Sequence, residues 1–115
     1  MNYSKQKLVL SLLIEFSTSF ANQANESAVD QEFEQFIKNA VKELSTEQGK
    51  TFDKKVHHLL KEVNREHQER NLEFSEYTEN LWKEISQMVQ RSTSFSTAYA
   101  LMNLFGGSKN ASLKL

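Results

Sequence analysis

Apolar residues recur at three- and four-residue spacing in four separate segments of this chain, and this repeat limits the possible fold more than any other feature. The clearest segment covers residues 75–89. Its apolar positions fall in one arc of a helix, opposite Glu, Asn, Lys and Gln: Tyr77, Leu81, Trp82, Ile85, Met88 and Val89. Ser75 is placed to accept a bond from a free backbone N–H as N-cap, and Glu76 and Glu79 suit the positive end of the helix dipole. We therefore predict a helix that begins at about Ser75.

Three earlier segments carry the same repeat. We predict a first helix over about residues 4–20, a second over about residues 28–44, and a third that begins after Thr51 as N-cap. The apolar stripes comprise Leu8, Val9, Leu12, Leu13, Phe16 and Phe20 in the first helix, Val29, Phe33, Phe36, Ile37, Ala40 and Leu44 in the second, and Phe52, Val56, Leu59, Leu60 and Val63 in the third. Polar segments without periodicity separate these helices.

Helices of this length joined by short turns pack most simply as an antiparallel up-down-up-down bundle. The 115 residues include no Pro and only three Gly, so turn signals of a β-sandwich or a doubly wound sheet are absent from the sequence. We predict one all-α domain, in which residues 1–92 form a four-helix bundle and residues 93–115 add a short fifth helical segment and a flexible tail. Because Tyr3, Leu10 and Ile14 widen the first stripe, we expect the fifth segment to cover that second side.

The overall charge gives no reason to expect nucleic acid as a partner, since fourteen Lys and Arg stand against fifteen Asp and Glu. The absence of Cys fits a reducing cytoplasm. Lys5 and Lys7 precede an apolar run at residues 8–14, as in a secretory signal, but Glu15 interrupts the run and we expect it to stay as a helix. No stretch approaches the roughly 20 apolar residues that cross a bilayer.

Catalytic and metal-binding motifs are missing from the sequence. His57, His58 and His67 are the three histidines, and no HExxH motif, ExxH pair or Cys ligand accompanies them. We expect His67 to continue the stripe of the third helix as a histidine at the core edge. No Ser or Thr lies in a strained nucleophile turn, and there is no Gly-rich phosphate loop. We expect a protein that is not an enzyme and that has no cofactor.

Aromatic residues are the better candidates for binding. Trp82 and Tyr77 lie at the two edges of their stripe, where a ring can serve either as the rim of the core or as a partner contact. The segment after Thr97 is apolar on nearly every side, so its surface either packs on the bundle or meets a partner. The candidate recognition residues are Phe95, Tyr99, Leu101, Met102, Phe105, Lys109 and Lys114.

Part of the chain resembles a known family. The sequences LLKEV at residues 59–63 and NLEFSEYTENL at residues 71–81, continued by Ile85-Ser86, are similar to the third and fourth helices of immunity proteins for class IIa (pediocin-like) bacteriocins, in particular the enterocin A immunity group. In that group a Phe-Thr/Ser-Glu-Tyr sequence precedes a helix with Leu and Ile at comparable spacing. Here it is present as Phe74-Ser75-Glu76-Tyr77.

The resemblance implies a cytoplasmic four-helix bundle of a Gram-positive bacterium that protects its producer from a bacteriocin without cleaving it. Such proteins are thought to act from the inner face of the membrane on the complex of bacteriocin and receptor, which is the membrane part of the mannose phosphotransferase permease. Their C-terminal half is held to select the bacteriocin, which here is the region after Ser92. No individual contact is carried over, because residues 95–115 match no motif of the family. The alternative is a non-enzymatic adaptor or antitoxin-like protein that binds a soluble partner.

Overall fold

The structure is a computed structural model that describes residues 1–23 and 27–91 as four α-helices without a strand. They are α1 (Tyr3–Ala21), α2 (Ala28–Leu44), α3 (Gly49–Glu69) and α4 (Glu76–Arg91). The all-α prediction is confirmed, and α1, α2 and the start of α4 agree with the predicted bounds to within one residue. The predicted fifth segment and tail lie outside the described residues.

Contacts between helix ends establish the antiparallel arrangement. Gln6 of α1 donates to the backbone O of Gly49, so α1 and α3 begin at the same end of the bundle. Arg70 after α3 forms an ion pair with Glu32 near the start of α2, at the opposite end. At that end the hydroxyls of Ser19 and Thr78 also share a hydrogen bond, so α4 begins where α1 finishes. The helices therefore run up, down, up and down.

The core lies where the four apolar stripes face one another. Its largest side chains with almost no exposed surface are Phe16, Phe20 and Leu13 of α1, Phe33 and Ile37 of α2, Phe52 and Leu60 of α3, and Ile85 of α4. Burying a side chain of this size contributes roughly 1.5–3 kcal/mol. The predicted periodicity thus identifies the residues that hold the bundle together.

The predicted start of α3 is wrong. The helix begins at Gly49, with Gln48 in an extended conformation as N-cap, and Thr51 lies inside the first turn. Gly49 has a φ of +62°, a left-handed conformation that glycine adopts without steric cost. Because the backbone turns there and Phe52 N donates to Gln48 O at 3.4 Å, the helix starts before Thr51 can cap it.

The apolar stripes predicted for α1 and α2 also need correction, because some of their residues are exposed. In α1, Leu8 is 51% exposed although it was assigned to the core stripe, because it projects about 100° away from buried Val9. On the predicted second apolar side of α1, Tyr3 and Ile14 are 63% and 48% exposed, whereas Leu10 is half-buried and packs against the core. In α2, Phe36 is 36% exposed.

The connection between α3 and α4 is anchored by Phe74. Its ring centroid lies 5.4 Å from that of Phe16, 5.9 Å from that of Phe20 and 6.0 Å from that of Phe33. The half-buried ring of His67 packs on Phe74 at 4.6 Å, in agreement with its predicted place at the core edge. Phe74, which lies between two helices, thus packs against rings from α1, α2 and α3.

Candidate functional site

The recognition residues predicted from the sequence lie outside the described residues: Phe95, Tyr99, Leu101, Met102, Phe105, Lys109 and Lys114. Their role stays a prediction. Of the two aromatic residues that sequence left open, Trp82 is only 4% exposed and belongs to the core, whereas Tyr77 is 56% exposed. Candidate sites within the described residues therefore have to be sought on the surface of the bundle.

A groove of about 560 Å³ runs between the C-terminal half of α2 and the N-terminal half of α3. Phe36, Ala40, Leu44 and Leu59 contribute its apolar surface. The groove exists because Phe36 lies outside the core, in tilted contact with Phe33 at 6.2 Å. Apolar surface with polar edges is typical of small binding sites. The sequence showed Phe36 as one more stripe residue, so this groove could not be predicted from periodicity.

Charged side chains border the groove. The Nζ of Lys55 lies 2.5 Å from Oε2 of Glu43 and 2.8 Å from Oε2 of Glu47, which links α3 to the end of α2. Hydrogen bonds to Glu43 and then to Glu47 raise the pKa of Lys55 above its ordinary value. Lys54 also lines the groove and makes no ion pair with the described residues. The groove therefore offers one cation that is not engaged within the bundle.

A second, polar depression of about 530 Å³ lies where α1 ends and α4 begins. Hydrogen bonds from its side chains link the C-terminal half of α1 and the residues after it to the start of α4. Tyr77 donates to the Glu15 carboxylate, which raises the pKa of the phenol. Gln23 donates to the backbone O of Glu73 at 3.0 Å and accepts from the backbone N of Ser75 at 2.9 Å. These bonds hold the start of α4 against α1, so the depression is a structural joint.

The N-cap prediction at this joint is confirmed. Ser75 Oγ accepts from the backbone N of Thr78 at 3.2 Å and shares a 2.9 Å hydrogen bond with the Thr78 hydroxyl. Thr78 in turn shares a 2.5 Å hydrogen bond with Ser19 of α1. The cap therefore fixes both the beginning of α4 and its position beside α1.

The three histidines do not converge. His57 is half-buried, and its Nε2 has no hydrogen-bond partner among the described residues. Burial lowers its pKa, an effect that Lys61 reinforces and Asp53 opposes. His58 is exposed, with its Nε2 3.7 Å from Oε2 of Glu62. In residues 1–23 and 27–91, no group of three or more His, Cys, Asp or Glu is placed to hold a metal ion.

Within the same two ranges, none of the helices combines the length and the apolar character needed to cross a membrane. Comparison of the chain with protein-family models, with curated proteins and with solved structures gives no match.

Proposed function

We propose that this chain is an immunity protein that protects a producing cell from a class IIa bacteriocin. It acts from the cytoplasmic side on the complex of the bacteriocin with its receptor, the membrane part of the mannose permease. The protein acts by binding this complex and does not cleave the bacteriocin. The C-terminal region selects the target while the helical bundle presents it.

The observation that carries the proposal is the structure of the segment that resembles the family. Phe74 joins rings from α1, α2 and α3, Ser75 caps α4, and Tyr77 bonds to Glu15 of α1. These side chains determine how the fourth helix sits on the other three. A shared sequence at such a joint supports a shared four-helix fold, and the family's function is proposed on that basis.

Selective binding to one state of the receptor gives the proposal a physical mechanism. A protein shifts a conformational equilibrium only by its difference in affinity for the two states. An immunity protein that binds the bacteriocin-bound receptor more tightly than the free receptor would hold that complex in a non-conducting form. The same difference in affinity would leave the free permease able to function.

The test is expression of the full chain in a strain that is sensitive to class IIa bacteriocins. We expect a large rise in the inhibitory concentration of one or a few peptides from a broad panel, with no change for an unrelated pore-forming peptide. Unchanged sensitivity to every class IIa peptide, despite confirmed expression, would refute the proposal.

A truncation after Arg91 tests the role assigned to the C-terminal region. The four helices end at Arg91, so we expect circular dichroism to show largely unchanged helicity while protection is lost. Trp82, the sole tryptophan, reports on the core in the same sample through its fluorescence. Full protection by the truncated chain would show that specificity lies in the bundle.

The groove between α2 and α3 favours a second candidate function, that of an adaptor or antitoxin-like protein. A soluble partner with an apolar ridge could insert beside Phe36 and Leu59. Membrane fractionation with and without bacteriocin separates the two functions. Only the immunity protein is expected to move to the membrane fraction with the permease when the peptide is added.

A further inference from the structure

The bundle is electrically polar from end to end. One end gathers the start of α1, the end of α2, the start of α3 and the end of α4, and we call it the basic end. Its cations without an ion pair among the described residues are Lys5, Lys7, Lys42, Lys50, Lys54 and Arg91. The carboxylates there are largely engaged, since Glu43 and Glu47 bind Lys55 and Asp53 accepts from Gln6.

The opposite end has the reverse pattern. Its carboxylates without an ion pair among the described residues are Glu15, Asp30, Glu69, Glu73 and Glu76, of which Glu15 accepts a hydrogen bond from Tyr77. The arginines there are engaged, with Arg65 bound to Glu62 and Arg70 bound to both Glu32 and Glu66, while Lys61 in the second half of α3 makes no ion pair with a described residue. The two ends are separated by the length of a helix such as α4, whose sixteen residues span about 24 Å.

Local helix electrostatics do not explain this distribution. Acidic residues near a helix start and basic residues near its end are stabilising, and α2 and α4 follow that rule with Asp30, Glu76 and Arg91. Neither α1 nor α3 has an acidic residue in its first turn, and α3 has Lys50 there instead. Gathering like charges at one end of a bundle opposes folding. Residues that depart from such local preferences are often found at functional sites.

Exposed apolar groups accompany the charge. Tyr3 and Leu8, on the first turns of α1, are 63% and 51% exposed. The Nζ of Lys7 lies 5.4 Å from the centre of the Tyr3 ring. An amphipathic ring beside a long cationic side chain is the combination found where proteins meet the headgroup layer of a bilayer.

We propose that the basic end binds the surface of an anionic lipid bilayer, with Tyr3 and Leu8 at the headgroup boundary. The basic end complements the charge of an anionic bilayer. Its cations are spread over the ends of four helices, so they form a broad surface of the kind that a bilayer can cover. The acidic end is repelled by the same surface, so only one orientation is allowed. The inference goes beyond the proposed function and does not depend on it, since lipid binding can be found or excluded with neither bacteriocin nor receptor present.

The test is cosedimentation of the full chain with vesicles of phosphatidylcholine containing roughly a third phosphatidylglycerol, at low and at physiological salt. We expect binding to these vesicles, weakening as salt rises, and none to pure phosphatidylcholine. The double variant Lys50→Gln/Lys54→Gln should bind about 25-fold more weakly, from about fivefold for each of the two basic residues near an anionic surface. Both side chains are exposed and lack an ion pair among the described residues, so the fold is preserved.

The matched control is Lys61→Gln/Arg65→Gln. It has the same helix, the same spacing and the same change in net charge, but lies in the second half of α3, away from the basic end. We expect this variant to bind like the original chain. Equal weakening in both double variants, unchanged binding in Lys50→Gln/Lys54→Gln, or no binding to the anionic vesicles at low salt would each overturn the proposal.

Discussion

The indole N–H of Trp82 donates to Oδ1 of Asn64 at 3.2 Å where α4 packs against α3. Both side chains are buried, with 4% of Trp82 and 8% of Asn64 exposed. The Nδ2 of Asn64 has no hydrogen-bond partner in the described part of the chain. This single bond therefore satisfies the one polar atom of the Trp82 side chain and one of the two polar atoms of the Asn64 amide, inside a core that is mostly apolar.

Removing one partner of this pair should cost more than removing both. We expect Trp82→Phe to lower the free energy of unfolding by about 2 kcal/mol, because the buried Asn64 Oδ1 loses its donor. The double variant Trp82→Phe/Asn64→Leu removes both polar partners of this hydrogen bond and should recover part of that loss. Urea unfolding followed by circular dichroism measures both. A double variant no more stable than Trp82→Phe would contradict the argument.

Phe74 should be among the most sensitive positions outside the helices. We expect Phe74→Ala to destabilise the fold by about 2–3 kcal/mol, less than the roughly 3–5 kcal/mol of a fully buried phenylalanine because the ring is only half-buried. Phe36→Ala is the matched control. Its ring is 36% exposed and makes a tilted contact with Phe33, so we expect a loss below about 1 kcal/mol. Equal losses in chemical denaturation would show that Phe74 is not an anchor.

Gln6 should contribute to stability although it is polar and lies in an apolar stripe. It is 5% exposed, and its Nε2 donates to the backbone O of Gly49 at 3.0 Å and to Oδ1 of Asp53 at 3.1 Å. We expect Gln6→Ala to cost about 1–2 kcal/mol in the free energy of unfolding. Gln35→Ala, which removes an exposed bond to Asn39, should cost less than about 0.5 kcal/mol. Similar thermal shifts for both variants would argue against a role for Gln6 in joining α1 to α3.

His57 should make stability fall on mild acidification. Burial lowers its pKa below the ordinary value near 6.5, so near and below pH 6.5 the unfolded chain takes up a proton that the folded protein does not yet bind. The free energy of unfolding then decreases with falling pH until both states are protonated, and this contribution is absent well above pH 6.5. We expect the melting temperature of His57→Gln to drop less between pH 7.5 and pH 5.5 than that of the original chain.

The control for this pH effect is His58→Gln, since the His58 side chain is 74% exposed. Its melting temperature should follow the original chain across the same pH range. If His57→Gln keeps the full pH dependence, the acid sensitivity comes from other groups.

The helices could be predicted from sequence where periodicity and capping agree. The bounds of α2 match the prediction, and Ser75 caps α4 as its position indicated, because both signals are local. The start of α3 was missed since the choice between Thr51 and Gly49 depends on a positive φ that no repeat reveals. Leu8 and Val9 show the same limit on burial, because both fit the apolar stripe of α1 and only the packing of the bundle shows that Val9 is buried while Leu8 is 51% exposed.

The surface features were harder to predict because they depend on helix direction. The antiparallel order of the helices places Lys50 and Arg91 at the same end of the bundle. Along the sequence acidic and basic residues are mixed, so the separation of charge between the two ends is not visible there. The groove beside Phe36 likewise depends on the spacing of α2 and α3. The recognition residues predicted after Ser92 lie outside the described residues and stay predictions.

The position of Phe74 has a consequence for the order of folding. Its partners Phe16 and Phe33 come from the first two helices, so their rings can meet only after the chain has closed the long loops between them. We expect this cluster to be incomplete at the folding transition state. A smaller side chain at position 74 would then accelerate unfolding while leaving the refolding rate nearly unchanged.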